Sequence, residues 1–290
     1  MISPQRAKAQ HDRTEASFSG DIDLAMLCSL SNEIRRMVVT MAHRARSAHV
    51  GSALSMVDIL AALYFRSLKI DPLRSRDSGR DRFILSKGHG AMGLYATLAL
   101  RGFFPVEELS TFGSDGGRLP GHPCSHVLPG VEYSSGSLGH GLSVGLGMAL
   151  AAKLNGENHR TVVLLSDGEC DEGSTWEAVL AAGHWKMPRL TAIVDYNKIQ
   201  SFGRTADIMD LEPFAEKWRA FQWHIQEIDG HDHQAILSAL ECADQESVMP
   251  SVIIAHTVKG KGIPAIENTV DSHYRPPTDE HLRKVLEDFS

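Results

Sequence analysis

Five runs of strand length, at 82–86, 161–166, 190–195, 222–228 and 251–256, constrain this chain's fold more than any other feature. A strand with one solvated face alternates apolar and polar residues, but TVVLLS at 161–166 and SVIIAH at 251–256 are almost continuously apolar. Such strands are covered on both faces, as in a parallel sheet flanked by helices. Helical patterns separate the runs at about 141–154, 174–185, 211–220 and 233–245. The alternation predicts an α/β fold with a doubly wound parallel sheet, whose active residues gather at the C-terminal strand ends. Upstream, Leu24, Leu27, Leu30, Ile34, Met37, Val38 and Met41 form a helical stripe within 23–46. A second helix is expected over 56–68, with Ser55 and Asp58 as its capping box, and a final short helix within 276–290.

Charge and composition exclude several classes of function. The formal net charge of −7, without a basic run, argues against a nucleic-acid-binding surface. No segment is long and apolar enough to cross a bilayer. Residues 1–20 are polar, lack the apolar stretch of a secretory signal, and read as a disordered leader before one domain at 21–290. Cys28, Cys124, Cys170 and Cys242 are scattered and form no C-x-x-C pair, which fits a reduced cytoplasmic protein. Fifteen histidines stand out, several beside glycine, as in Gly88-His89-Gly90, Gly121-His122 and Gly139-His140-Gly141. Such pairs favour turns that a ligand can approach closely.

The stretch FILSKGHGAMGLY, 83–95, contains Gly88-x-Gly90-x-x-Gly93 between a strand and a helix. A dinucleotide turn also requires a second strand ending in an acidic residue within roughly 30 residues. Here the helix instead runs into a loop-like segment, and Asp115 sits in a turn, so the context fails. The glycines either permit a tight turn or serve chemistry around His89. A stronger signal spans two later strands, with Asp167-Gly168 just after the first and Asn197 just after the next. Neighbouring parallel strands emerge at one edge of a sheet, so these side chains can converge. One carboxylate and one amide oxygen, completed by a carbonyl and ligand oxygens, suit Mg²⁺ or Ca²⁺, with Mn²⁺ a further possibility, and Mg²⁺ shares its shell readily with phosphates.

At this point the chain resembles a known family. Asp167-Gly168 and Asn197 resemble the thiamine-diphosphate motif, with Ser166 in place of its first glycine and Tyr196 where many members carry another asparagine. The rest of 23–290 resembles the N-terminal, diphosphate-binding part of transketolase. The resemblance rests on SAHVGSALSMVDIL around His49, LSKGHGAMGLYATLA around His89, LPGHP around His122 and SSGSLGHGLSVGLGMALAAKL from Ser134. It continues in SDGECDEGSTWEA, VDYNKIQSFG and TVKGKGIPAIENTVDSHYR, the last containing His273.

The resemblance implies the thiamine-diphosphate-binding fold and a role for each matching position. Asp167 and Asn197 would ligate the metal through side chains and Ile199 through its carbonyl, and Gly168 would meet the diphosphate. His89 would bind diphosphate and border the substrate. Gly136, Ser137 and Leu138 would lie along the cofactor. His49, His122 and His273 would line the substrate channel, His273 also beside the cofactor, and Glu172 would join a carboxylate network at a subunit interface. The implied reaction moves a two-carbon ketol unit from a ketose or ketose phosphate to an aldose, with proton transfers suited to histidine near neutral pH.

The resemblance also implies a missing part. Full-length transketolases carry a second domain with the catalytic glutamate, and nothing after Ser290 could hold one. The chain therefore reads as the N-terminal subunit of a split enzyme, inactive without a C-terminal, pyrimidine-binding partner and assembled with it as a heterotetramer. Competing readings are a 1-deoxyxylulose-phosphate-synthase-like or 2-oxoacid-dehydrogenase-type subunit, a non-catalytic cofactor-holding subunit, and an NAD-dependent dehydrogenase. His140 replaces the family's usual glutamine, as a tolerated substitution. Gly139, Gly141, Gly145, Gly147 and Ala149 suggest a small-residue face packed on a partner helix. His122, Cys124 and His126 fit no common zinc spacing. Asp232 should cap a helix, His231 and His233 should be structural, and Lys259 and Lys261 should shape a glycine-rich turn rather than bind phosphate.

Overall fold

A computed structural model describes residues 22–289, so the leader expected over 1–20 lies outside the described residues. The predicted strands all form: β1 Arg82–Leu85, β2 Thr161–Ser166, β3 Leu190–Tyr196, β4 His224–Asp229 and β5 Ser251–His256. They make one parallel sheet in the order β1-β2-β3-β5-β4. Among the described residues the α-helices of six residues or more are α1 (Leu24–Arg44), α2 (Val50–Ser55), α3 (Val57–Ala62), α4 (Ala91–Arg101), α5 (Gly141–Asn155), α6 (Gly173–His184), α7 (Phe214–Ala220), α8 (His233–Gln245) and α9 (Asp279–Asp288). None of them is long and apolar enough to cross a membrane.

The continuous apolar runs are explained by two cores. Successive strand residues point to opposite faces. Along β2, Val162 and Leu164 pack with α1–α4 and α8, while Val163 and Leu165 pack with α5, α6 and α7. Along β5, Ile253 and Ala255 take the first core and Val252 and Ile254 the second. The outer strand β4 is only half-buried and carries His224, Gln226, Glu227 and Asp229, polar residues that discourage further strand pairing at an edge. Helix ends follow local chemistry: Asp23 accepts from Met26 N at 2.8 Å, Asp232 caps α8, and Thr278 with His281 forms the capping box of α9.

Two expectations need correction. The helix expected over 56–68 forms as Val57–Ala62 and a π-helical turn over Leu63–Ser67, but Ser55 and Asp58 do not cap it, because a further helical turn, Val50–Ser55, precedes it across Met56. Both polar residues are drawn into long-range contacts instead. The Ser55 hydroxyl donates to Ser52 O at 3.1 Å and to Asp195 at 2.5 Å, and Asp58 pairs with Arg35 and His231. The small face of α5 packs on the sheet rather than on a partner helix. A Cβ on Gly145 would stand 2.4 Å from Val163, and one on Gly141 2.2 Å from the Ser86 hydroxyl, while Gly147 has open space around it. The strand after α4 begins sixty residues beyond Arg101, at Thr161, which agrees with rejecting a compact dinucleotide unit.

Candidate active site

Register aligns the C-terminal strand ends at one edge of the sheet: Ser166 lies opposite Asp195, and Tyr196 opposite His256. The segments leaving those ends enclose a cavity of about 230 Å³. From the end of β1 come Lys87 and, on a 3₁₀ turn over Gly88–Gly90, His89. From β2 come Ser166, Asp167 and Gly168; from β3, Asn197, Ile199, Gln200 and Ser201; beyond β5, Lys259 and His273. His49 enters from the start of α2 with a left-handed backbone (φ 69°), its N–H donating to His273 O at 2.8 Å. The His122 loop is fastened from below, because the Tyr95 hydroxyl lies 3.0 Å from Pro120 O and 3.1 Å from His122 O.

Four histidines share this space. Ring centroids are 4.8 Å apart for His49 and His273, 5.5 Å for His49 and His89, 5.6 Å for His89 and His273, and 6.1 Å for His49 and His122. Burial, then Lys259, His49 and Lys87, hold His273 down at about 3. Burial, then the charge of Lys87, pushes His89 well below the usual histidine range, and burial with His122 and Lys259 lowers His49. These three rings are therefore neutral at neutral pH, each able to donate one hydrogen bond and accept another.

Two lysines are almost fully buried here. Lys87 is neutralised by Asp195, which also takes the hydroxyls of Ser55 and Thr257. Lys259 has a different kind of partner: its ammonium donates to Ile199 O at 2.9 Å and stands 3.3 Å from His273 Nδ1. Burial and the charge of Lys87 lower it to about 8. A buried cation held by carbonyls and an imidazole favours an anion beside it. Asp167 presents the opposite case. Burial, then the Asp195 charge, raises its carboxyl to about 6, although it accepts from the N–H groups of Gly168 and Lys198. A cation beside it would relieve that burden.

Asp167, Asn197 and Ile199 all line the cavity. The Asp167 carboxylate, the Asn197 amide oxygen and the Ile199 carbonyl are of the donor type a hard divalent cation would take, the carbonyl already accepting from Lys259. Among the described residues no three His, Cys, Asp or Glu side chains converge as a metal cluster, so His122, Cys124 and His126 form no such site.

Of the residues singled out by sequence, His49, His89, His122, His273, Gly136, Leu138, Asp167, Gly168, Asn197 and Ile199 line the cavity. Ser137 and Glu172 do not; both are exposed. The buried carboxylate of that turn is Glu169, which accepts from Gly139 N at 2.9 Å, Ser166 N at 3.2 Å and the Ser86 hydroxyl. Lys259 is a correction: its side chain enters the cavity rather than merely shaping a turn. Sequence reasoning also misses Lys87, Ser52, Gln200 and Ser201, although Lys87 stands inside the conspicuous LSKGHG stretch. His231 and His233 are structural as expected, both against Asp58.

A family profile described as "Transketolase, thiamine diphosphate binding domain" matches residues 28–289. The chain is 44% identical over 256 residues to a 6-deoxy-6-sulfo-D-fructose transketolase subunit of Clostridium sp. (strain MSTE9), covering 88% of this chain and 93% of that one. It is 42% identical over 255 residues to an apulose-4-phosphate transketolase subunit from Actinobacillus succinogenes, covering 88% and 92%. Among solved structures, a transketolase from Campylobacter jejuni superposes with a TM-score of 0.87 at 32% identity, covering 92% of this chain but 43% of that chain.

Proposed function

We propose, from the premise that this chain belongs to the transketolase family through its thiamine-diphosphate-binding domain, that it is the N-terminal subunit of a two-chain transketolase. The complex transfers a two-carbon ketol unit from a ketose or ketose phosphate to an aldose. One observation carries the reading: at a single sheet edge, a buried lysine held by carbonyls and an imidazole adjoins a carboxylate raised by burial and four clustered histidines. That combination suits a magnesium-bound diphosphate joined to a substrate that exchanges protons.

When bound, thiamine diphosphate supplies the nucleophilic ring carbon that breaks and remakes the carbon–carbon bond beside a ketose carbonyl. The residues of this chain do the rest. Asp167, Asn197 and the Ile199 carbonyl hold the cation, Mg²⁺ or in its place Ca²⁺ or Mn²⁺. Lys259, Gly168 and His89 meet the diphosphate, and Gly136, Ser137 and Leu138 flank the remainder of the cofactor. His49, His122 and His273 orient the substrate hydroxyls and carbonyl, and His49 and His273, held neutral by burial, can each donate one hydrogen bond to them and accept another. Glu172, exposed beside the cavity turn, faces a second chain.

The partner supplies the pyrimidine-binding domain and its catalytic glutamate, in a heterotetramer in the reduced cytoplasm. Support comes from coverage: relatives named as subunits are matched over 92–93% of their length, whereas the Campylobacter jejuni transketolase is matched over 43%. The test is an assay of the purified chain with thiamine diphosphate, Mg²⁺ and a panel of ketose donors, with and without the partner. Sulfofructose and apulose 4-phosphate belong in that panel, and pyruvate serves as the rival donor. Turnover should appear only with the partner and a ketose; activity of the lone chain, or a preference for pyruvate, would overturn the reading.

A further inference from the structure

The tripeptide leaving β5, Thr257-Val258-Lys259, is gripped at three consecutive residues. The Thr257 hydroxyl donates to Asp195, Val258 N–H donates to His231 Nε2 at 2.9 Å, and the Lys259 ammonium reaches the cavity. His231 itself lies outside the cavity, in the turn between β4 and α8. Because its Nε2 accepts from a backbone N–H, the ring proton sits on Nδ1, which donates to Asp58 at 2.7 Å.

Asp58 is a firm anchor. Burial alone would raise its carboxyl, but the His231 hydrogen bond and Arg35 together hold it well below the usual carboxylate range. Arg35 comes from α1 and Asp58 from α3, while His233 stands 3.5 Å from the other carboxylate oxygen and 2.9 Å from the Ser31 hydroxyl. The imidazole is thus clamped between a fixed anion and the one amide that precedes Lys259. Thr257 is held on Asp195 and Lys259 in the cavity, so a change in the middle point would tilt the lysine rather than release the strand.

We propose that His231 is a positioning residue: anchored on Asp58 and accepting from Val258 N–H, it sets the turn that delivers Lys259 to the anion side of the cavity. The identity of the anion rests on the transketolase reading; the holding of the turn does not. Two substitutions separate the halves of the clamp. Glutamine places an oxygen near the Nε2 position and can still accept from Val258, whereas asparagine ends near Nδ1 and cannot reach it.

The experiment titrates thiamine diphosphate with Mg²⁺ into the full chain calorimetrically, as wild type, His231→Gln and His231→Asn, each also combined with Lys259→Met. Amide exchange at Val258 is followed in the same proteins without cofactor. His231→Asn should weaken binding about tenfold and His231→Gln less than about threefold, as expected when one buried hydrogen bond is lost or kept. Val258 exchange should quicken in His231→Asn alone, and the asparagine effect on binding should vanish beside Lys259→Met, because coupled residues are not additive. Equal effects of the two substitutions, an asparagine effect that persists in full without Lys259, or wild-type exchange at Val258 in His231→Asn would each overturn the proposal. Should His231→Asn fail to fold, His231→Leu, which keeps the volume and likewise offers Val258 N–H no acceptor, takes its place with the same expected pattern. If the wild type binds no thiamine diphosphate either alone or with the partner, the transketolase reading falls, and the exchange measurement alone decides whether His231 holds the turn.

Discussion

At the scale of single residues, Asp167 and Lys259 are a complementary pair of unmet charges. Burial lifts the Asp167 carboxyl from 3.8 to about 6, which at neutral pH opposes the ionised, cofactor-free form by about 3 kcal/mol. The sign follows from the raised value: this group's stabilising contribution is full below about 4 and lost as pH rises through about 6. Binding of a cation and diphosphate depends on the ionised form, so affinity should fall about tenfold per pH unit below about 6. The rise in melting temperature on adding thiamine diphosphate and Mg²⁺ should accordingly be larger at pH 7.5 than at pH 5; equal rises would show that Asp167 does not meet the cation. Asp167→Asn should abolish the response of the melting temperature to cofactor, while its amide N–H, facing one of the two N–H groups the carboxylate accepts from, offsets the relief of burying a neutral group. A variant that still responds would contradict the metal-binding role. Lys259→Met should weaken diphosphate binding by about ten- to a hundredfold, as expected for losing one charge-assisted contact, measured with inorganic pyrophosphate and Mg²⁺.

At the scale of elements, strands and most helices are legible because burial on both faces writes continuous apolar runs. TVVLLS and SVIIAH could hardly be anything but interior strands, and they are. What is illegible has non-local causes. Ser55 and Asp58 look like a capping box three residues apart, but their partners, Asp195, Arg35 and His231, lie far along the chain. Lys259, leading into Gly260-Lys261-Gly262, resembles a turn residue, because the burial of its ammonium is set by Ile199 and His273 on other segments. His89 and His122 are findable since glycine marks their turns, while Glu169, in an acidic-looking stretch, gives no local sign of being buried. The packing of α5 yields a prediction of its own. Gly145→Val must push the helix off β2, since even a Cβ would stand 2.4 Å from Val163. A loss of about 1–3 kcal/mol is expected in urea unfolding, and an unchanged midpoint would mean that α5 does not seat on the sheet as described.

At the scale of the whole molecule, two cores fix one sheet, and the sheet edge gathers side chains from segments more than two hundred residues apart, His49 to His273. The cavity they make is lined chiefly by polar and charged side chains, as a half-site for a charged cofactor would be. On the proposed reading the turns after β2 and β3, with Lys259, jointly seat a metal-bound diphosphate. The most direct measurement is a crystal structure of the chain with its partner, thiamine diphosphate and Mg²⁺. The ion should lie between Asp167, Asn197 and the Ile199 carbonyl, with diphosphate oxygens within hydrogen-bond reach of Lys259; an ion held elsewhere, or a diphosphate remote from that lysine, would refute this seat.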